Sequence, residues 1–255
     1  MRFERSPAWA IMARMEATRS PVTAPSAATA IGELLSLSQL AHTTASRALS
    51  RFRAISSASV NFNARPNPLD RALEAARRAV DLAPTHALGH SALATIYFFR
   101  KEMIPFRIET ERALELNPFD ASVKAYHGLL IAAAGEWERG CKLVESALRL
   151  NPNCPGFFYF PHCWNAYRQG KYEEVLEGVA RINMPNYFHV PAIKAAALGQ
   201  LGRREEAKKT LQEVLALRPD FAATARYEYG KWYDEEHVEQ VIDGLRKAGL
   251  DIPNQ

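Results

Sequence analysis

Cysteine is scarce: Cys141, Cys154 and Cys163 are the only three in 255 residues. The number is odd and no pair has C-x-x-C spacing. A disulfide framework or structural zinc site is therefore not indicated, and reduced thiols in a cytoplasm fit better. No apolar run reaches the roughly 18 residues that would span a bilayer. The opening stretch MRFERSPAWAIMARMEATRS is broken by charge where a secretory signal would be apolar. These absences predict a soluble cytoplasmic chain with no membrane span.

Catalytic signatures are missing as well. The chain has no phosphate-binding glycine loop, no H-E-x-x-H pair, no calcium loop and no G-x-S-x-G elbow. GQLGRR reads as a helix turn. His162 and Cys163 are adjacent and Cys154 is close in sequence, but no fourth ligand stands at metal-site spacing. The acid pairs Glu173/Glu174 and Glu205/Glu206 fall where helices begin, and there the helix dipole favours negative charge. His90, His127 and His237 read as partly exposed helix residues, not general bases. The expectation is no catalytic residue, no cofactor and no metal.

What is present is a globular composition, 47% hydrophobic and 24% charged. The net charge of +4 sits entirely in residues 1–60, which hold seven Arg, no Lys and three Glu; the remainder is neutral. A basic stripe on the folded part is thus not expected, and nucleic acid is not a predicted partner.

The dominant feature is a period. AVDLAP, ALELNP, ALRLNP, VARINMP and VLALRP end in Pro84, Pro118, Pro152, Pro185 and Pro219, at spacings of 34, 34, 33 and 34 residues. A constant period of this size means stacked supersecondary units, each unable to bury its apolar face alone. Within 121–152, Gly128 falls at a helix crossing, Gly135 at a turn and Trp137 just after it, followed by Gly140, Val144 and Ala147 at packing positions. The unit 87–118 supplies Leu93, Ala94, Tyr97, Phe106 and Ala113. The unit 188–219 supplies Ala195, Leu198, Gly202, Ala207, Leu211 and Val214. Residues 70–84 read as a second helix alone.

The final leucines Leu82, Leu116, Leu150 and Leu217 are expected to pack inward. The x-P that follows stops each helix, because the residue before proline is pushed out of the α region. Pro161 lies inside an expected first helix, so the unit 156–185 should start late or kink. Pro105 and Pro191 suit first turns.

This set of positions resembles the tetratricopeptide repeat (TPR). The resemblance implies an all-α TPR superhelix, an α-solenoid of antiparallel helix pairs, with about four and a half units over 69–219. C-terminal capping helices and a tail are expected over 220–255. Asp220 and Asp234 are candidate N-caps. Val238, Val241, Ile242 and Leu245 form one apolar stripe, and Gly249 terminates it. Residues 1–16 read as an isolated first helix, with Trp9, Met12 and Ala13 in register. Residues 17–68 are Ser-, Ala- and Arg-rich and irregular. Three readings stay open for 17–60: a disordered linker, a docking helix near 30–49, or a stretch that is not a product of selection.

The tail, with ALGHSALATIYFFRKE, RINMP and GQLGRREEA, also resembles C-terminal TPR regions of bacterial class III adenylate/guanylate cyclase-type signalling proteins. No cyclase domain is present, so no catalytic residue carries over. The TPR resemblance implies a non-enzymatic protein-interaction scaffold, a regulatory or adaptor module of a bacterial signalling system. The alternative is the separated regulatory portion of a nucleotide cyclase. Projecting the repeat places Ser91, Thr95, Phe98, Ala125, Leu129, Ala132, Phe160 and Trp164 on a concave groove. The lysine/asparagine clamp of chaperone-binding TPRs is absent. The predicted partner is a protein or peptide with an apolar segment, with a nucleotide-cyclase or other signalling domain as one such partner.

Overall fold

A computed structural model describes residues 68–152 and 155–253. The helix expected at 6–16, the segment 17–67 and Cys154 lie outside the described residues. Those described form eleven α-helices and no strand. In chain order they are α1 (Pro68–Leu82), α2 (Ala87–Phe99), α3 (Met103–Leu116), α4 (Ala121–Ala133), α5 (Trp137–Leu150), α6 (Phe160–Arg168), α7 (Tyr172–Val179), α8 (His189–Gln200), α9 (Arg204–Leu217), α10 (Phe221–Gly230) and α11 (Glu235–Lys247). The pairs α2–α3, α4–α5, α6–α7 and α8–α9 pack internally, and α1 covers α2 in the place of a second helix, with no first helix before it among the described residues. The all-α solenoid expected from the period is the fold observed.

Each pair turns by the same device. The N–H of Glu136 reaches the Ile131 carbonyl at 3.1 Å, and Lys171, Arg203 and Glu102 make the equivalent bond to Ala166, Leu198 and Tyr97. This wrapping satisfies the last helical carbonyls and needs one residue in the left-handed region. Gly135, Gly170 and Gly202 take that place with φ of 95°, 74° and 71°. In the first pair the place belongs to Lys101, at φ 61°.

The prolines act as the sequence predicts. Asn117, Asn151 and Arg218, each just before a proline, have φ of −142°, −139° and −142°, so α3, α5 and α9 stop there. Pro105 and Pro191 lie in the first turns of α3 and α8. The unit containing Pro161 starts late: Gly156–Tyr159 is a 3-10 turn, and α6 begins at Phe160 with the proline in its first turn.

Close crossings are made by small residues. A Cβ on Gly140 would lie 2.5 Å from the Gly128 carbonyl oxygen and 2.7 Å from the Ala132 Cβ. A Cβ on Gly128 would lie 2.7 Å from Val144. One expectation fails here. Leu82, Leu150 and Leu217 are 49%, 44% and 38% exposed, and Leu116 is half-buried. The inward position of each helix end belongs instead to the residue three earlier: Ala79, Ala113, Ala147 and Val214 are all buried. The leucine is the last helical residue, where no further turn of the neighbouring helix remains to cover it.

Candidate functional site

The ends of the first helices carry aromatic residues: Phe98 and Phe99 on α2, Trp164 and Tyr167 on α6, with Trp137 opening α5 beside the end of α4. The strap Lys231–Asp234 and the first half of α11 lie against this row. Trp232 meets Phe99 edge-on at 5.1 Å and Phe98 at 6.2 Å. Tyr233 stacks on Trp137 at 5.9 Å and meets Trp164 at 5.3 Å. His237 sits among Trp137, Trp164, Tyr167 and Tyr233, its ring 4.6–6.4 Å from theirs. Gln240 accepts from the Tyr167 hydroxyl at 3.1 Å through its main-chain carbonyl, and its amide donates to the Tyr167 carbonyl at 3.3 Å.

Both ends of this crossing are held. On one side, buried Glu228 accepts from Lys231 at 2.9 Å and Arg218 at 3.2 Å. On the other, α11 presses on α8: a Cβ on Gly199 would lie 2.2 Å from the Gly244 carbonyl oxygen. Asp234 caps α11 by accepting from the His237 main-chain N–H at 2.9 Å, as its sequence position predicts. Asp220 makes no side-chain cap, because its carboxylate is engaged by Arg218 at 2.6 Å.

All eight groove residues read from the sequence are buried. Phe98 and Trp164 touch the crossing segment directly. Leu129, Phe160 and Trp164 share with Tyr187, His189, Tyr229, Trp232 and Tyr233 the wall of a cavity of about 40 Å³. Ser91 and Thr95 do not reach it. Ser91 Oγ is 2.8 Å from His127 Nε2, and Thr95 donates to the Ser91 carbonyl at 2.8 Å. Ala132 lies at the α4–α5 crossing against Gly140. Ala125 is packed in the core. Sequence reasoning missed Tyr229, Trp232, Tyr233 and His237, although GKWYD carries the signal: two adjacent aromatics sit in a polar connector.

The histidines differ from expectation. His90, His127 and His237 are buried, at 7%, 0% and 4% exposure, not partly exposed. Burial pushes His127 and His237 down from 6.5 to about 4 and His189 to about 3, so the imidazoles are neutral at pH 7. The Ser91–His127 pair has no carboxylate on Nδ1, which finds no partner among the described residues, and no substrate could reach it. Burial likewise raises the Cys163 thiol to about 12, and its sulfur packs under Gly178. Among the described residues no group of three or more His, Cys, Asp or Glu side chains is placed to hold a metal ion. No helix among them is long and apolar enough to cross a membrane.

The family model described as "Tetratricopeptide repeat" matches residues 192–221, which run from α8 through α9. The stretch that matches is one helix pair of an all-α solenoid. A curated relative, "TPR repeat-containing protein YpiA" of Bacillus subtilis (strain 168), is 30% identical over 142 residues, 54% of this chain and 33% of that protein. The chain thus spans about a third of that relative's length. Similar solved structures include "YrrB: a TPR protein with an unusual peptide-binding site", with TM-score 0.46 and 17% identity over 71% of this chain and 95% of that one. "MamA MSR-1 C2" follows with TM-score 0.43 and 19% identity over 64% and 94%.

Proposed function

We propose that this chain is a non-enzymatic protein-interaction scaffold that receives an apolar, aromatic segment of a partner along the ends of its first helices. TPR proteins generally mediate protein–protein interaction. One observation carries the reading to a place: the row Phe98, Phe99, Trp137 and Trp164 already accepts a protein segment, the chain's own Trp232 and Tyr233. Aromatic surfaces of this kind bind through burial and edge-to-face contact and need few main-chain bonds. A cytoplasmic setting belongs to the proposal and rests on the buried free thiols of Cys141 and Cys163.

A displayed peptide library selected against the full chain tests it. Selected peptides should be rich in apolar and aromatic residues. They should cross-link to the ends of α2, α4 and α6. Cross-links confined to α3, α5, α7 and α9 would place the interaction elsewhere. A role in bacterial signalling, beside or within a nucleotide cyclase, rests on the resemblance of the tail segments alone. Cyclic nucleotide formed by the purified chain from ATP or GTP with Mn²⁺ would overturn the non-enzymatic reading.

A further inference from the structure

The segment lying on the aromatic row buries polar groups that find no partner there. Both imidazole nitrogens of His237 and the Tyr229 hydroxyl are buried without a hydrogen-bond partner among the described residues. Buried polar groups are nearly always paired, and an unpaired one marks a contact tolerated for another reason. A half-open pocket of about 40 Å³ lies between the segment and Leu129, Phe160 and Trp164, so this edge of the contact can be reached from outside.

The turn at Lys101 supplies an independent observation. The equivalent residue in the other three pairs is glycine, which enters the left-handed region at no steric cost. Lys101 adopts φ 61° with a full side chain. Its ammonium lies over the Phe98 ring at 5.5 Å and donates to the Lys231 carbonyl at 3.0 Å. The residue that breaks the glycine pattern is thus the one that fastens the strap to the first repeat. Strained backbone kept at one position of a repeat points to a role for that side chain.

The strap starts at the Glu228 charge cluster, to which Lys231 belongs, and runs into α11, which the Gly199–Gly244 contact holds on α8. We propose that Lys231–His237 is a displaceable, intramolecular occupant of the aromatic row, latched by Lys101. The segment that displaces it belongs to a partner protein and carries adjacent aromatic residues, as Trp232 and Tyr233 do. The chemistry follows from the contacts: the row offers ring faces and edges to rings. This inference rests on the scaffold reading above.

The test uses the full chain and a labelled peptide with the sequence of residues 227–240, YEYGKWYDEEHVEQ. Two variants open the strap: Lys101→Gly, which removes the latch and relaxes the turn, and Trp232→Ala. Helicity and melting are recorded for both, and Lys101→Gly keeps the test readable if Trp232→Ala fails to fold. If closure leaves only a small open fraction, opening should tighten peptide binding by about tenfold or more. A peptide with both aromatics changed to leucine should bind more weakly. Equal binding by wild type and folded variants would overturn the latch. Equal binding of the leucine peptide would overturn the aromatic specification and leave the scaffold reading standing. Folded open variants that bind neither peptide would overturn the scaffold reading itself. A concentration-dependent dimer of the open variants by light scattering would make the occupant a second copy, against the proposal.

Discussion

The Lys101 ammonium donates to the main-chain carbonyl of Lys231, 130 positions further along, at 3.0 Å. It joins the first complete helix pair to the connector between the last two helices. Partial burial lowers its pKa, with Asp234 pulling in the opposite direction.

Lys101→Gly separates the turn from the tie. Relief of the left-handed backbone should return roughly 1 kcal/mol, and loss of the tie should cost about as much. The melting temperature should hardly move. Amide exchange over 231–240 should quicken while exchange in α4 and α8 stays unchanged. A large fall in melting temperature would show the lysine to be a simple structural prop.

Gly140→Ala should be severe, since its Cβ would meet the Gly128 carbonyl oxygen at 2.5 Å and backbone cannot swing aside. A loss of about 3 kcal/mol is expected from such overpacking. Gly230→Ala is the contrast: nothing lies within 4 Å of its Cβ and its φ is not left-handed. It should be neutral or up to about 1 kcal/mol stabilising. Urea unfolding of both variants tests the pair.

Acid should weaken the fold from about pH 6.5 downward, through its buried histidines. His127, His189 and His237 have folded pKa values of about 4, 3 and 4 against 6.5 when free. The folded state resists protonation, so the unfolded state binds more protons below pH 6.5. Stability is full above that value and falls as pH drops towards 4, by about 1.4 kcal/mol per pH unit for each histidine. His237→Phe should shallow the slope by about one proton. An unchanged slope between pH 6 and 4.5 would show His237 to be hydrated in solution.

Glu228→Gln should destabilise by about 3 kcal/mol, because it leaves Lys231 beside an uncharged amide at a largely buried site, while Arg218 keeps only Asp220. Thermal melting reads the loss. If the variant melts like wild type, the cluster is not an anchor of α10.

The period alone made the helix pairs, their proline stops and the irregular unit at Pro161 legible, because each is decided by local backbone chemistry. Position within a helix was harder. Leu150 and Ala147 share one apolar stripe, and whether the last turn is covered depends on the neighbouring helix. Register brings Leu129, Phe160 and Trp164 to the wall of one pocket, and Phe98 to the ring of Trp232. Their cover was not legible: the approach of Trp232 to Phe99 joins residues 133 positions apart, and no repeat rule reaches across the stack. His237 was misjudged for the same reason, whereas His90 and His127 are covered by neighbouring helices, beside Glu109 and Ser91.

The Gly199–Gly244 contact has a consequence for growth of the array. A further repeat added after α9 would need the flank of α8 that α11 now occupies. Displacing α11 would also free the strap from the aromatic row. One helix therefore covers both the flank of the last pair and the aromatic row, and a change that loosens α11 should expose the two surfaces together.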